Sequence, residues 1–503
     1  MDRRAIDDYG IPISALMAKA GQAVFQEIKR LLPEGGRITF LCGKGNNGGD
    51  GFVAAKLAHE NGYHADCLAT CEDSDLAGEP RIQMLAAKES GVPIHFASEP
   101  RYRRRTDCLG SRDLIVDAML GTGAGGEIRG PILEAIQSIN RSGTPVLSVD
   151  VPSGIHCDTG EELGESIWAL KTVTFGLPKP FLFQGTGLEH AGHWDVADIG
   201  FPADLLLEPS DAQLLEIEWV ANMIPERLRA SHKGDNGHVL IVAGSPTMPG
   251  AAVMAAKAAL RAGAGLVTVA SDPYVCQIVA GQVPECIFLP LPSMGASTAE
   301  ILLEQESRFD SALIGPGLSQ GDSILDFLAA LWKDWKLTTV LDADALNAIA
   351  KGVPLPNAEC VLTPHPGEMG RLLEASIAEI QSDRFSTVKE AINRLEKCIL
   401  LKGHHSIVGE QGQPLAVNRT GNPGMASGGM GDILGGLIAT LLAQSVPTYH
   451  AAAAGMYWHG LAGDICAQEI GPIGYSAMDV ANALPKARAK IVSSCNYESY
   501  SSS

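Results

Sequence analysis

No two of the 11 cysteines in this 503-residue chain stand in a C-x-x-C arrangement. The nearest spacing, Cys67 and Cys71, has neither a second pair nor a histidine cluster beside it, so a zinc ribbon is not expected. Scattered cysteines in a long chain read as reduced thiols. No run of 18 apolar residues occurs, and the opening MDRRAIDDYGIP lacks the apolar stretch of an export leader. The expected location is therefore the cytoplasm, with no membrane partner. Basic residues are in deficit, 38 Lys and Arg against 58 Asp and Glu, for a formal net charge of −20. That argues against a broad phosphate-backbone footprint and against nucleic acid as a partner. Nucleotides remain open, because backbone N–H groups and helix N-termini hold them locally. No internal repeat relates the two halves.

What is present is a soluble composition, 46% hydrophobic and 19% charged, with 56 glycines. The length exceeds one ordinary core and predicts more than one domain. Apolar runs alternate with helical stretches: RITFLC, HADCLAT, VPIHFA, DLIVDAML, TPVLSVDVPSG, KTVTFGL and HWDVADIG in the first half, and a second series from GHVLIVAGS onward. Near-continuous apolar strands separated by helices predict parallel sheets covered on both faces. The fold class read from this is α/β, two tandem domains. The expected boundaries are 1–205, a charged linker at 206–224, a second domain at 225–490, and a polar, disordered tail at 491–503. The Ala-rich AAAAGMYWHGLAGDICA, interrupted by His459 and Asp464, reads as a buried helix.

Three strand ends of the first half carry unusual polar groups: GKGNNGGDG (43–51), DAMLGTGAGGEIRG (117–130) and SVDVPSGIHCDTG (148–160). The first contains G-x-G-x-x-G, a dinucleotide-binding turn when it joins a strand to a helix. Its Asn46, Asn47 and Asp50 are more polar than a hydride-carrier loop usually is, and no acidic residue is evident at the close of the next strand. In a doubly wound sheet all three loops gather at the carboxyl ends of the strands, where ligands bind. Asn47, Asp117 and Ser153 offer oxygens without histidine or cysteine, which suits a hard cation. A cap at Asp117 and turn chemistry at Asp150 are the plain alternatives.

In the second half, TGNPGMASGGMGDILGGLIATLL (420–442) runs a glycine-rich loop into an apolar helix. The N–H groups of such a helix start hold phosphate charge, and Asp432 in its first turn is placed to take a hydroxyl proton beside it. KGHHS (402–406), TPHPGEM (363–369) with His365, and GPGL (315–318) follow strands, and Lys233 and Asn236 of HKGDNG are read as lining the same mouth. Together these predict a kinase-like site for a small hydroxylated molecule.

In order, GxGNNGGDG, DAxLGTG and VDxPSG resemble the NAD(P)H-hydrate epimerase domain, over about residues 1–205. HKGDNGHVLIVAGS, GPGL, LDADALN, LTPHPGEM, KGHHS and GNPGMASGGMGD are similar to the NAD(P)H-hydrate dehydratase domain of the ribokinase-like superfamily, over about 225–490. The first resemblance implies a Rossmann-like three-layer αβα sandwich that binds hydrated NADH or NADPH through Asn46, Asn47, Gly48, Gly49 and Asp50. It adds Gly121, Thr122, Gly123, Ala124, Gly125, Gly126, Glu127 and Asp150, with Asp150 as acid/base. It further implies a potassium ion at Asn47, Asp117 and Ser153. The second implies a ribokinase-like αβα domain in which Ala252, Gly317, His365 and Asp432 face the hydrate. Either of the adjacent alanines of GAAV (250–253) fits the first of these positions. Lys402, Gly403, His404, His405, Ser406 and Gly431 would hold ADP, with ATP as the alternative and magnesium on its phosphates. A homo-oligomer is implied as well. Three other readings stand beside this one: a small-molecule kinase fused to a dehydrogenase, a non-catalytic ligand sensor in the first half, and a purely structural tandem.

Overall fold

The computed structural model describes residues 1–498. The chain divides into two compact units, residues 1–209 and the chain from 210 onward. Each is built on one twisted sheet with helices on both faces.

The first unit has seven strands, β1 Arg37–Cys42, β2 His64–Ala69, β3 Ile94–Phe96, β4 Leu114–Ala118, β5 Val146–Val149, β6 Lys171–Phe175 and β7 His193–Ala197. They pair in parallel in the order β3-β2-β1-β4-β5-β6-β7. Along β1, Ile38, Phe40 and Cys42 enter one core while Leu41 enters the other, the period-2 alternation of a strand buried on both faces. The helix Asn46–Glu60 after β1 packs on the first face and the helix Gly130–Ser142 after β4 on the second. The crossover therefore changes sides between β1 and β4. This is the point at which a doubly wound sheet opens a crevice.

Glycine sets the closeness of that crevice. A Cβ on Gly43 would run into the carbonyl oxygen of Met119, and one on Gly48 into the carbonyl oxygen of Gly43. Substituting Gly48→Ala is expected to overpack this junction by about 1–3 kcal/mol, lowering the melting transition of the first unit by roughly 3–10 °C in calorimetry.

The second unit holds β8 Ala212–Leu214, β9 His238–Val242, β10 Leu266–Ser271, β11 Ile287–Pro290, β12 Ser311–Ile314, β13 Thr339–Leu341, β14 Cys360–Leu362, β15 Cys398–Leu401, β16 Ile407–Gly409 and β17 Leu415–Val417. Their order is β11-β10-β9-β12-β13-β14-β15-β16-β17-β8. From β9 to β15 this repeats the strand order of the first unit without any repeat in sequence. β16 runs antiparallel to both of its neighbours. An apolar helix, Met430–Ala443, crosses the middle of one face, and the Ala-rich helix Thr448–Glu469 packs beside it, buried as its composition predicts.

Two boundary expectations change. Residues 206–224 are not a linker throughout. β8 pairs in parallel with β17, and the helix Ile217–Met223 buries Val220 in the core of the second unit. A three-residue strand and a two-turn helix are too short to show periodicity in a charged segment. At the other end, the helix Ala477–Glu498 continues through residues expected to be tail, burying Ile491. Residues 499–503 of that tail lie outside the described residues. Among the cysteines with described side chains all are free, and all but Cys108 are buried. Among the described residues no helix is long and apolar enough to cross a membrane.

Candidate active sites

At the β1/β4 crevice the first unit carries a cleft of about 1240 Å3. Asn46, Asn47 and Asp50 line it from the helix start after β1, Gly121 to Ala124 from the loop after β4, and Asp150 from the end of β5. Ile13, Leu16 and Met17 of the helix Ile13–Leu31 supply an apolar wall, and Arg3, Lys44 and Arg129 supply cations. Gly48 and Gly49 serve packing instead of lining the cleft; Gly49 has its room taken by Met17. Gly125, Gly126 and Glu127 also stand outside the lining, and Glu127 pairs with Arg129 at 2.6 Å. No acid closes the second strand itself, which ends at Ala69 as expected. Glu72 and Asp75, in the loop beyond β2, fold back onto the cleft. Glu72 is held there by Ser98, whose N–H and hydroxyl donate to it at 3.0 and 2.6 Å.

Asn47, Asp117 and Ser153 do come together, around the turn Met119–Gly121. The amide of Asn47 donates to the Leu120 carbonyl at 2.7 Å, and the Leu120 N–H donates to Ser153 Oγ at 2.9 Å. Asp117 is fully buried and accepts from Ser153 Oγ at 2.5 Å, the Ser153 N–H at 2.8 Å, Ser148 Oγ at 2.9 Å and the Met119 N–H at 3.3 Å. None of these partners is a cation. Burial raises its pKa, and the four donors offset only part of that. A buried carboxylate lacking a positive partner, ringed by oxygens, is a donor set that fits a hard cation.

Asp150 has a φ of 65°, a left-handed backbone rare outside glycine, asparagine and aspartate. Its Oδ1 accepts from Thr174 Oγ1 at 3.0 Å, from the Phe175 N–H at 3.2 Å and from Lys179 Nζ. Lys179, which lies in none of the glycine-rich motifs, lines the same cleft.

In the second unit the centre is a charged cluster at the carboxyl ends of β13 and β15. Lys402 Nζ donates to Asp342 Oδ1 at 2.6 Å and lies 3.7 Å from Glu368 Oε2. The Lys402 pKa is raised, although burial works against it, because Asp342 and Glu368 hold the ammonium. The chain leaves β13 through Ala343, whose φ of 50° marks a strained turn. Asp432, in the first turn of the helix Met430–Ala443, joins this group. Burial, then the nearby Asp342, push its pKa up to about 7 against the pull of Lys402. Gly431 packs between them, with Asp342 Oδ2 and Lys402 Nζ both 3.4 Å from where its Cβ would be. The loop before this helix is pinned by Asp464, which accepts from the Gly421 N–H at 3.0 Å and from Asn422 Nδ2 at 2.9 Å.

The other expected residues fall around this centre, with one correction. Gly403 to Ser406 form a tight turn in which Ser406 Oγ donates to the Gly403 carbonyl at 3.0 Å. The buried Arg384 holds it from behind, donating to the His404 carbonyl at 2.7 Å. His405 Nδ1 is 2.9 Å from the Asn418 carbonyl oxygen, and burial lowers its pKa to about 4. His365 caps the helix Pro366–Leu373. Its Nδ1 accepts from the Gly367 N–H at 3.0 Å while Glu368 accepts from the His365 N–H at 2.8 Å. Burial keeps this imidazole neutral more readily than usual. Ala252 is fully buried against Gly244; its neighbour Ala251 is the one that meets Gly317. Of the two alanines left open by the sequence, Ala251 is thus the one beside Gly317. Lys233 and Asn236 do not share this mouth. They precede β9, at the amino ends of the strands, where the Asn236 carbonyl accepts from the Gly265 N–H at 3.0 Å.

Two family models match the chain. The model described as YjeF-related protein N-terminus covers residues 13–181, and the model described as NAD(P)H-hydrate dehydratase covers residues 239–486. A bifunctional NAD(P)H-hydrate repair enzyme of Coxiella burnetii is 39% identical over 481 residues, spanning 95% of this chain and 96% of that protein. This chain belongs to the family of bifunctional NAD(P)H-hydrate repair enzymes. The Escherichia coli member of the family is 36% identical, spanning all of this chain and 95% of its own length. Among solved structures, an ADP/ATP-dependent NAD(P)H-hydrate dehydratase of Bacillus subtilis, co-crystallised with ATP and magnesium, is 29% identical. It covers 55% of this chain and 97% of its own, with a TM-score of 0.50. A ribokinase-like superfamily protein of Enterococcus faecalis is also 29% identical over 57% of this chain, with a TM-score of 0.51. The repair-enzyme family thus accounts for both glycine-rich sites on one chain.

The residues that sequence reading missed are those acting as partners. Lys179, Asp342, Glu368 and Arg384 each reach a motif residue from a distant segment. Asp342 and Glu368 lie inside quoted motifs, so their position was visible although their pairing was not.

Proposed function

We propose that the chain repairs hydrated NADH and NADPH. The first unit interconverts the R and S hydrates at C6, and the second dehydrates the S form at the expense of a nucleotide. The observation that carries this is Asp432, a half-buried carboxylate at the start of a glycine-loop helix beside Lys402, its pKa raised to about 7. The C6 hydroxyl is a poor leaving group. Asp432 takes its proton as the terminal phosphoryl group of ADP transfers to the oxygen. The C6–O bond of the resulting phosphate ester then breaks as a C5 proton leaves, restoring the C5–C6 double bond. The products are NAD(P)H, AMP and phosphate. Lys402, the Gly403–Ser406 turn and Gly431 hold the nucleotide, and ATP fits the same contacts. Among the described residues no three His, Cys, Asp or Glu side chains form a metal site, and Asp342 and Glu368 are engaged by Lys402. That donor set suits magnesium carried by the nucleotide, where it neutralises phosphate charge.

In the first unit the hydrate lies in the cleft with C6 at Asp150. Asn47, Asp117 and Ser153 would hold potassium, which would supply the positive charge that the buried Asp117 lacks.

The test mixes both hydrates with the purified protein, magnesium and potassium, adds ADP or ATP, and follows the near-UV absorbance of the reduced ring. Complete recovery with either nucleotide is the expected result and names the phosphoryl donor. Failure with both would overturn the dehydratase reading and favour a kinase acting on an intact alcohol.

A further inference from the structure

The lysine beside Asp150 deepens the epimerase reading, on which this inference rests. Lys179 follows β6 in the sequence FGLPKP and points back to the end of β5. Its ammonium group has three hydrogens, and three acceptors face it: Asp150 Oδ1, Thr174 Oγ1 at 2.7 Å and the Phe175 carbonyl at 3.0 Å. Thr174 and the Phe175 N–H in turn donate to the same Oδ1. All three of the carboxylate's hydrogen bonds therefore fall on one oxygen, and no donor of Lys179 is left over for a ligand. Asp150 and Lys179 both line the cleft, next to the apolar Phe175, Leu177 and Pro178.

We propose that Lys179 is the positioning residue of the epimerisation. It fixes Asp150 through Oδ1, at a backbone φ of 65° that needs support, and leaves Oδ2 as the oxygen that handles the substrate proton. A single working oxygen dictates the chemistry. Exchange of the C6–H from opposite faces would need two groups. One oxygen suffices if the ring opens. Oδ2 takes the C6 hydroxyl proton, the C6–O bond becomes a carbonyl, and the N1–C6 bond breaks. Its electron pair goes to N1 and spreads through C2=C3 into the carboxamide. Oδ2 gives the same proton to N1. After rotation about C5–C6 the steps reverse on the other face of the carbonyl, and atoms, protons and electrons balance without any co-reactant.

The experiment compares the wild-type chain with Lys179→Met and Lys179→Arg on pure R hydrate, reading R-to-S conversion directly. A melting transition of the first unit matching wild type reports that each variant has folded there. The methionine variant is expected to lose about 10²-fold in kcat with KM within about threefold, and the arginine variant to recover most of that loss. In D2O the wild-type chain is expected to interconvert the epimers with no deuterium entering C6. Equal kcat in the methionine variant, or a loss confined to KM, would overturn the role of Lys179. Deuterium at C6 would overturn the ring-opening route. If the wild-type chain does not speed the interconversion at all, the epimerase reading itself fails, which sets that outcome apart from the others.

Discussion

Asp432→Asn is expected to abolish dehydration while the R and S hydrates continue to interconvert. The side chain keeps its size and loses only the capacity to accept a proton, so kcat should fall by about 10³-fold or more. The fold should not suffer. Burial and the neighbouring Asp342 raise the Asp432 pKa to about 7, so the folded protein holds a proton there that the unfolded chain releases at ordinary carboxylate pH. Stability from this group is thus present at low pH and lost as pH rises towards 7. Asparagine removes that loss, and the variant should melt no lower than wild type at neutral pH. In the wild-type chain the general base works only when ionised. The dehydration rate should rise with pH along an acid limb near 7 and level off above it. A flat profile from pH 5 to 8, or full activity in the asparagine variant, would remove Asp432 from the chemistry.

Asp150→Asn should have the complementary effect. Asparagine tolerates a left-handed backbone at least as well as aspartate, so the φ of 65° remains accessible. Its amide can still accept from Thr174 and Phe175, whose positions should hold. What disappears is proton transfer, with an expected loss of about 10²- to 10⁴-fold in R-to-S conversion. In the repair assay on mixed hydrates the absorbance should rise quickly to the share contributed by the S form and then stall. Dehydration of pure S hydrate should match wild type. Complete, single-phase recovery would show that Asp150 does not carry the epimerisation.

The parts of this structure that were legible in the sequence share one property: they are local. RITFLC is a strand because both faces of a central parallel strand are buried, so apolar residues run nearly unbroken. The three glycine-bearing loops follow β1, β4 and β5, and strand direction alone brings their ends together. By contrast, AQL, IFLP and LAV make β8, β11 and β17, but three or four residues cannot display a period. Lys179 beside Asp150 and Asp342 beside Lys402 join segments 29 and 60 residues apart, and only the packed sheet determines that they meet. The misplacement of Lys233 and Asn236 is of another kind. They precede their strand, whereas the site residues follow theirs, so the order of motif and strand already held the answer.

β8 bears on how the chain tolerates division. It lies along β17 as the last strand of the second sheet. A fragment beginning at residue 225 would lose β8 together with the helix Ile217–Met223, leaving the main-chain donors and acceptors of β17 bare. Such an uncovered edge is a template for pairing with further copies of itself, and aggregation is the usual outcome. A fragment beginning at residue 210 keeps its own protective strand, so the two pieces would behave very differently in solution although both contain every residue assigned to the dehydration.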